Sequence, residues 1–250
     1  IPASGEHRAA AVVDSAEPVE SVARLATGRS RFKIYDDIVV TQANSILGIV
    51  SVQSLIDAMA KFQVEMAQGA NPLTGLPGNM ALECEIEKRL SKNQPFSIIY
   101  ADLDNFKSYN DMYGFQNGDQ VIKLLAKIIK HAIARHGSPD DLASHVGGDD
   151  FIILTRNQYA ERISLSIVRC FQRLIRYYFS PRDRKRGWIE AHGRDGKKGQ
   201  FPLVSVSLGI LFCTGQTNLK AISERAAEVK TYAKSQPGNT YVTDRRGPLS

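Results

Sequence analysis

Apolar residues recur along the chain with two different periods, and the switching between them predicts alternating strands and helices. Ala10 to Val13 is a short apolar run, and Val19, Val22, Ala23 and Ala26 share one face of a helix expected from Pro18 to Ala26. Ile34-Tyr35 and Ile38-Val39-Val40 read as a strand, Ala43-Asn44-Ser45 as a turn, and Ile46 to Val50 as a second strand. From Val52 to Gln68 one helix is expected, with Leu55, Met59, Phe62 and Met66 at the four-three-four spacing of a coiled-coil seam. Two heptads fall short of the three or four that define a coiled coil, so packing within its own domain and a dimerising signal helix both stay open. Gly69 ends this helix and Asn71-Pro72 begins a new unit. The expected division is a first unit over 1–51, a linker helix over 52–69 and a second domain over 70–250.

The second unit continues the alternation. A helix is expected from Met80 to Leu90, then a buried strand, Phe96 to Ala101, that exits into Asp102-Leu103-Asp104. Asp119 to His136 carries Val121, Ile122, Leu125, Ile128, Ile129 and Ile133 on one stripe and predicts a long amphipathic helix. Leu142 to Val146 and Phe151 to Leu154 read as two strands joined by Gly147-Gly148-Asp149-Asp150. A helix over Ile163 to Tyr178, a strand over Leu203 to Phe212 and a helix over Leu219 to Lys234 complete the pattern. One sheet flanked by helices accounts for this order, an α/β (α+β) fold.

Composition narrows the class. Of 250 residues, 43% are hydrophobic and 23% charged, which excludes a disordered chain and a disulfide scaffold. The three cysteines, Cys84, Cys170 and Cys213, never pair as CxxC and suit a reducing, cytoplasmic setting. No stretch approaches the roughly 18 apolar residues that span a bilayer. The first residues have no apolar signal region and no initiating Met, which reads as a cut into a longer polypeptide. Between Arg182 and Lys198, seven basic residues against three acidic ones carry +4 of the net +6. With only Trp188 among them, that segment lacks the interleaved aromatics of a nucleic-acid platform and reads as a solvated hairpin or loop, with no nucleic-acid partner.

Candidate chemistry lies in the carboxylates. Asp102 and Asp104 leave a buried strand, and Asp149 and Asp150 sit in a Gly-Gly turn between two others. If those strands are neighbours, four carboxylates converge, an arrangement that needs a cation. Hard oxygen ligands on strand ends suit Mg²⁺, which takes one or two carboxylates plus substrate phosphates. Gly147 and Gly148 would admit a phosphate close to the backbone, with Lys107 meeting it from the other side. Each part alone has an ordinary explanation, as a strand exit, a hairpin turn or, for Asn110, Asp111 and Asp119, a helix cap. Together they indicate metal-assisted phosphoryl transfer on a nucleotide.

Their order supports a family resemblance. Asn71-Pro72-Leu73-Thr74-Gly75-Leu76-Pro77, Asp102-Leu103-Asp104-Asn105-Phe106-Lys107, Asn110-Asp111, Tyr113-Gly114, Gly118-Asp119 and Gly147-Gly148-Asp149-Asp150-Phe151 closely resemble a GGDEF domain, from about Asn71 to Asp244. The first 60 residues or so, closing on Gly48-Ile49-Val50-Ser51, resemble one CBS repeat; Ser51 fits its ribose-binding pattern, but Ser54 stands where an Asp would follow. The combination is similar to the C-terminal part of bacterial proteins with EAL, CBS and GGDEF regions. It implies a palm-like fold (ferredoxin-like, as in nucleotide cyclases), an upstream EAL domain, a second CBS repeat, and a diguanylate cyclase that joins two GTP into cyclic di-GMP as a homodimer. By position, the resemblance implies that Asp102, Asp149, Asp150 and the Leu103 carbonyl hold Mg²⁺ or Mn²⁺. It also implies that Asn110 and Asp119 bind guanine, that Lys107 and Lys234 hold phosphates, and that Phe106, Gly147 and Gly148 border the GTP.

Four positions depart from the family pattern. Asp150 replaces the usual Glu, no Arg precedes Asn239, Met80 stands where an Arg is common, and Ser138 replaces the Arg of an Arg-x-x-Asp product-inhibition site that ends at Asp141. A displacement of about 1 Å in such a site costs on the order of 100-fold in rate. The alternative these changes favour is a degenerate GTP-binding module that regulates an attached EAL phosphodiesterase. Either way, feedback through the Asp141 site is expected to be weak or absent.

Overall fold

The computed structural model describes residues 11–17, 19–28, 37–43, 45–192, 198–214 and 217–249. These divide between Gln68 and Gly69 into two compact units. In the first, strands β1 (Ala11–Asp14), β2 (Ile38–Gln42) and β3 (Ser45–Val50) form a sheet in that order, with β1 parallel to β2 and β2 antiparallel to β3. Helices α1 (Val19–Thr27) and α2 (Val52–Gln68) bury Val22, Ala23, Ala26, Val52 and Leu55 with Val13 and Ile38. The Ser51 hydroxyl caps α2, accepting from the Ser54 amide at 3.1 Å. The start of α2 therefore packs within the first unit. The expected strand at Ile34-Tyr35, the start at Pro18 and the turn residue Asn44 lie outside the described residues, as do the Phe62 and Met66 side chains.

The second unit is built on a five-stranded sheet in the order β10-β9-β4-β6-β5. Its strands are β4 (Phe96–Asp104), β5 (Leu142–Gly147), β6 (Asp150–Thr155), β9 (Ser205–Cys213) and β10 (Thr240–Thr243). The central β4 runs antiparallel to both β6 and β9. Alternation along β4 sorts two cores. Ile99, Ala101 and Leu103 pack with α5 (Phe115–His136) and α6 (Asn157–Leu174), whereas Phe96 and Ile98 pack with α3 (Asn79–Ser91) and α8 (Leu219–Lys234). No helix among the described residues is long and apolar enough to cross a membrane.

Several boundaries differ from expectation. Asp102-Leu103-Asp104 is the end of β4 itself, since its bonds with β9 run to Asp104 opposite Ser205. The long helix starts at Phe115 and not Asp119, because α4 (Phe106–Tyr113) precedes it and Gly114, at φ 83°, makes the sharp corner between the two. Charged and polar residues around its aromatic row hid α4 from a periodicity search. The helix expected over Ile163 to Tyr178 begins six residues earlier at Asn157 and tightens to a 3₁₀ turn at Ile175–Tyr178. The strand expected over Leu203 to Phe212 is β9, two residues further on, and β10 was not anticipated.

Of the two readings of the basic segment, hairpin or loop, the structure shows the hairpin, and a partly buried one. The segment folds as α7 (Pro181–Arg186) and a hairpin of β7 (Trp188–His192) with β8 (Lys198–Pro202); residues 193–197 are outside the description. Ile189 is fully buried. Asp183 is buried too, hydrogen-bonded by Tyr113, Ser180 and Arg186, and the Arg186 guanidinium lies 4.0 Å over the Trp188 ring. Part of the charge read as a surface feature is thus committed to internal pairing.

α8 lies close to the sheet because Gly209 has no side chain: a Cβ there would stand 2.8 Å from Val229 Cγ1 and 3.3 Å from the Val229 backbone. Gly209→Ala is expected to destabilise the domain by about 1–3 kcal/mol, read as a lower urea midpoint. The loss should be smaller in a Val229→Ala background.

Candidate functional site

The register of β4 against β6 builds the acidic end of the site. Ala101 pairs with Phe151, so the next residues outward are Asp102 on one strand and Asp150 on the other. Both belong to the sheet face that α8 covers. Asp149 follows the turn residue Gly148, whose φ of 55° a side chain would resist. Asp104, two residues beyond Asp102, is tied to β9: one of its oxygens accepts from Ser205 at 2.8 Å and Ser207 at 2.7 Å. The serines of β9 thus hold one Asp104 oxygen, while Asp104 still feels the Asp102 carboxylate and Lys234 and lines the cleft together with Asp149.

The turn is anchored from the Asn71 segment. Asn71 Oδ1 accepts from the Leu73 amide at 2.9 Å and the Thr74 amide at 3.3 Å, which folds the segment. Thr74 Oγ1 lies 3.1 Å from His145 Nδ1, and His145 Nε2 lies 2.9 Å from the Gly148 carbonyl. A carbonyl only accepts, so Nε2 carries the proton and Nδ1 accepts from the threonine in the neutral ring. Burial lowers the His145 pKa below its ordinary 6.5 and favours that neutral form. Stacking on Phe151, with ring centroids 4.3 Å apart, fixes the imidazole plane.

Two lysines one helical turn apart on α8 meet the acids. Lys230 Nζ lies 2.9 Å from Asp102 Oδ2 and also hydrogen-bonds Asp150 Oδ1, while Lys234 Nζ bonds Asp102 Oδ1. Burial raises the Asp102 carboxyl, but Asp150, Lys234 and Lys230 outweigh it and hold the pKa below the usual range. Burial and the Asp102 carboxylate push Asp150 upward, and Asp149 moves the same way for the same two reasons. Burial would lower the Lys230 ammonium, yet its bonds to Asp150 and Asp102 raise it.

Beside this cluster opens a cleft of about 1000 Å³. Of the residues singled out from sequence, Leu103, Asp104, Phe106, Lys107, Asn110, Asp111, Gly148, Asp149 and Lys234 line it. Asp102 and Asp150 lie behind it in the lysine cluster. Asp119 is half-buried in α5 and Gly147 is exposed in the turn, and neither borders the cleft. Asn105, in the left-handed region at φ 58°, turns the chain from β4 into α4 and so aims Lys107 and Asn110 inward. Gly118 makes room for Asn110: a Cβ on it would stand 1.9 Å from Asn110 Oδ1. That oxygen is buried against Gly118 and has no hydrogen-bond partner among the described residues, an acceptor left for a ligand if the side chain turns. Phe201 and Pro202 of β8 form the opposite wall, a use of the basic hairpin that its composition did not signal. Lys230, Ser205, Ser207 and His145 also escaped the sequence reading; the one available signal was Lys230 at four residues from Lys234.

The oxygen donors present are of the kind that suits a hard divalent ion. No group of three or more His, Cys, Asp or Glu among the described residues forms a metal cage. Such an ion, however, needs only one or two carboxylates with phosphate oxygens completing its shell. Asp149 and the Leu103 carbonyl at the cleft edge, with Asp102 behind them once its lysines turn away, are the oxygens that would hold one.

Residues 70–186 match the family model described as "Diguanylate cyclase, GGDEF domain". A diguanylate cyclase of Vibrio cholerae is 31% identical over 46% of this chain and 37% of its own. Diguanylate cyclase DgcS of Shewanella oneidensis is 34% identical over 42% and 36%. A cyclic di-GMP phosphodiesterase of Escherichia coli, PdeR, is 28% identical over 46% and 17%. The chain thus spans under two fifths of the length of these relatives. Among solved structures, the coiled coil and GGDEF domain of DgcB from Caulobacter crescentus superposes with a TM-score of 0.53 at 20% identity, covering 76% of this chain and 97% of that one. Diguanylate cyclase SiaD from Pseudomonas aeruginosa gives 0.53 at 18%, covering 76% and 67%. At these identities the structures establish the fold.

The neutral His145 makes a pH prediction. Its folded pKa lies below 6.5, so on acidification the unfolded chain binds a proton first. Its contribution is complete above about pH 6.5 and falls away as the pH drops below that value. His145→Gln should flatten the decline in Tm between about pH 7 and 5.

Proposed function

We propose, from the premise that residues 70–186 form a GGDEF domain, that the cleft binds GTP and that the protein is a diguanylate cyclase. The single observation that carries the reading is Asn110, whose Oδ1 has no partner among the described residues, in the wall of a cleft that Lys107 and Lys234 also line. An N–H donor of a purine would satisfy that acceptor, and guanine, with N1–H and the N2 amine on one edge, is the base that the family resemblance implies. Asp119, close behind in α5, is the second guanine ligand that the family resemblance implies. Lys107 and Lys234 then meet the phosphates, and the Gly148 turn lets a phosphate approach the backbone.

In this reading the 3′-hydroxyl of one GTP attacks the α-phosphorus of a second, held by a partner copy. The new O–P bond forms as the bond to the β-phosphate oxygen breaks, and pyrophosphate leaves with the electron pair. Asp150, whose carboxyl burial and Asp102 hold above the usual range, is in this reading the group that takes the hydroxyl proton once Lys230 releases it. A bound divalent ion, Mg²⁺ or Mn²⁺, supplies charge neutralisation at the reacting phosphate. Lys107 and Lys234 stabilise the departing charge. GGDEF domains work as dimers, so a homodimer is part of the proposal. The β-α-β-β-α order of the first unit supports a CBS-like repeat, and the EAL domain implied by the resemblance belongs to the same reading.

A second reading rests on the lysines that engage Asp102 and Asp150: a GTP-binding module that regulates a phosphodiesterase without turnover. The Asp141 carboxylate is engaged by Ser138 and by Thr155 at 2.7 Å, which supports weak feedback at the product-inhibition position under either reading.

GTP turnover at high protein concentration with Mg²⁺ or Mn²⁺, products separated by chromatography, tests the proposal. Cyclic di-GMP that disappears in Asp149→Ala is the expected result; metal-dependent GTP binding without product selects the regulatory module. Asn110→Ala should weaken GTP binding by about 1–3 kcal/mol, seen by calorimetry, with much less effect on ATP.

A further inference from the structure

We propose that Lys230 is a resident cation of the site: its ammonium occupies the position between Asp102 and Asp150 that a divalent ion would share, and the protein binds metal there only by displacing it. The two α8 lysines are not equivalent. Lys234 borders the cleft and its side chain is 41% exposed, so it is free to turn to a ligand phosphate. Lys230 does not border the cleft, is 28% exposed, and bridges the two acids from behind.

An ion bound to both acids would need oxygens at about 2.0–2.1 Å if it were Mg²⁺. Lys230 Nζ fills that space, 2.9 Å from Asp102 Oδ2 and hydrogen-bonded to Asp150 Oδ1. Gly209 holds it there by letting α8 approach β9 at Val229, the residue before Lys230. With Lys234 on the remaining Asp102 oxygen, both oxygens of that carboxylate carry an ammonium. Arrival of a nucleotide would draw Lys234 away but leave Lys230, which has no access to the cleft. The carboxylate pair thus stays together without metal, and metal affinity is set by a side chain of the chain itself. The consequence for turnover rests on the GTP reading; the competition between Lys230 and metal does not.

The test is Mn²⁺ binding to the nucleotide-free protein, followed by electron paramagnetic resonance of the free ion, in wild type and in Lys230→Met, Lys230→Gln and Lys230→Arg. Removal of the charge in either neutral variant should tighten Mn²⁺ binding about tenfold or more, while Lys230→Arg stays near wild type. Two neutral substitutions of different polarity keep the result readable if one fails to fold. Equal affinity in wild type and the neutral variants, or a gain in Lys230→Arg as large as theirs, overturns the proposal. GTP binding measured in parallel separates the two readings, since absence of GTP binding in every variant sinks the nucleotide assignment and leaves the Mn²⁺ comparison standing.

Discussion

Asp102 and Asp150 stand side by side because β4 and β6 run antiparallel with Ala101 against Phe151, and two half-dry carboxylates that close cannot both stay ionised without a cation. The rest of the site follows from meeting that demand. α8 must lie near enough for Lys230 and Lys234 to reach the strand ends, and Gly209 makes the approach possible. The turn that carries Asp149 must not swing away, and the chain from Asn71 through Thr74 and His145 to the Gly148 carbonyl secures it. The Asn71 segment therefore acts on the site from a distance, as a brace and not as a ligand.

A second constraint is the division of the sheet into two faces. Leu103 points into the core beneath α5 and α6, while its neighbours Asp102 and Asp104 face α8. One strand end thus supplies a backbone carbonyl, an acid for the cluster and an acid tied to serines. The cleft then forms between α4 and the β7–β8 hairpin, so a segment whose charge suggested an exposed surface supplies a wall of the site.

Much of the fold was legible because the apolar stripes of α5, α6 and α8 and the unbroken runs of β4 and β6 are long and periodic. The carboxylates were legible because they end such runs. α4 was not, since it is short and its inward residues are aromatic and polar, so only Gly114 marked its end. Nor was the tie of Asp104 to serines, which depends on which strand lies beside β4: Ser205 is 101 positions away in the chain.

The sequence by itself determined the order of elements, the placement of acidic residues at strand ends and the Gly-Gly turn between apolar strands, because these rest on local periodicity and backbone preference. Tertiary structure alone decided which acids share a cation, that Lys230 lies between them, and that the basic segment folds back to wall the cleft. Each of these depends on strand pairing and helix packing between distant residues. A charge on a helix has no assigned partner until the sheet it covers is assembled.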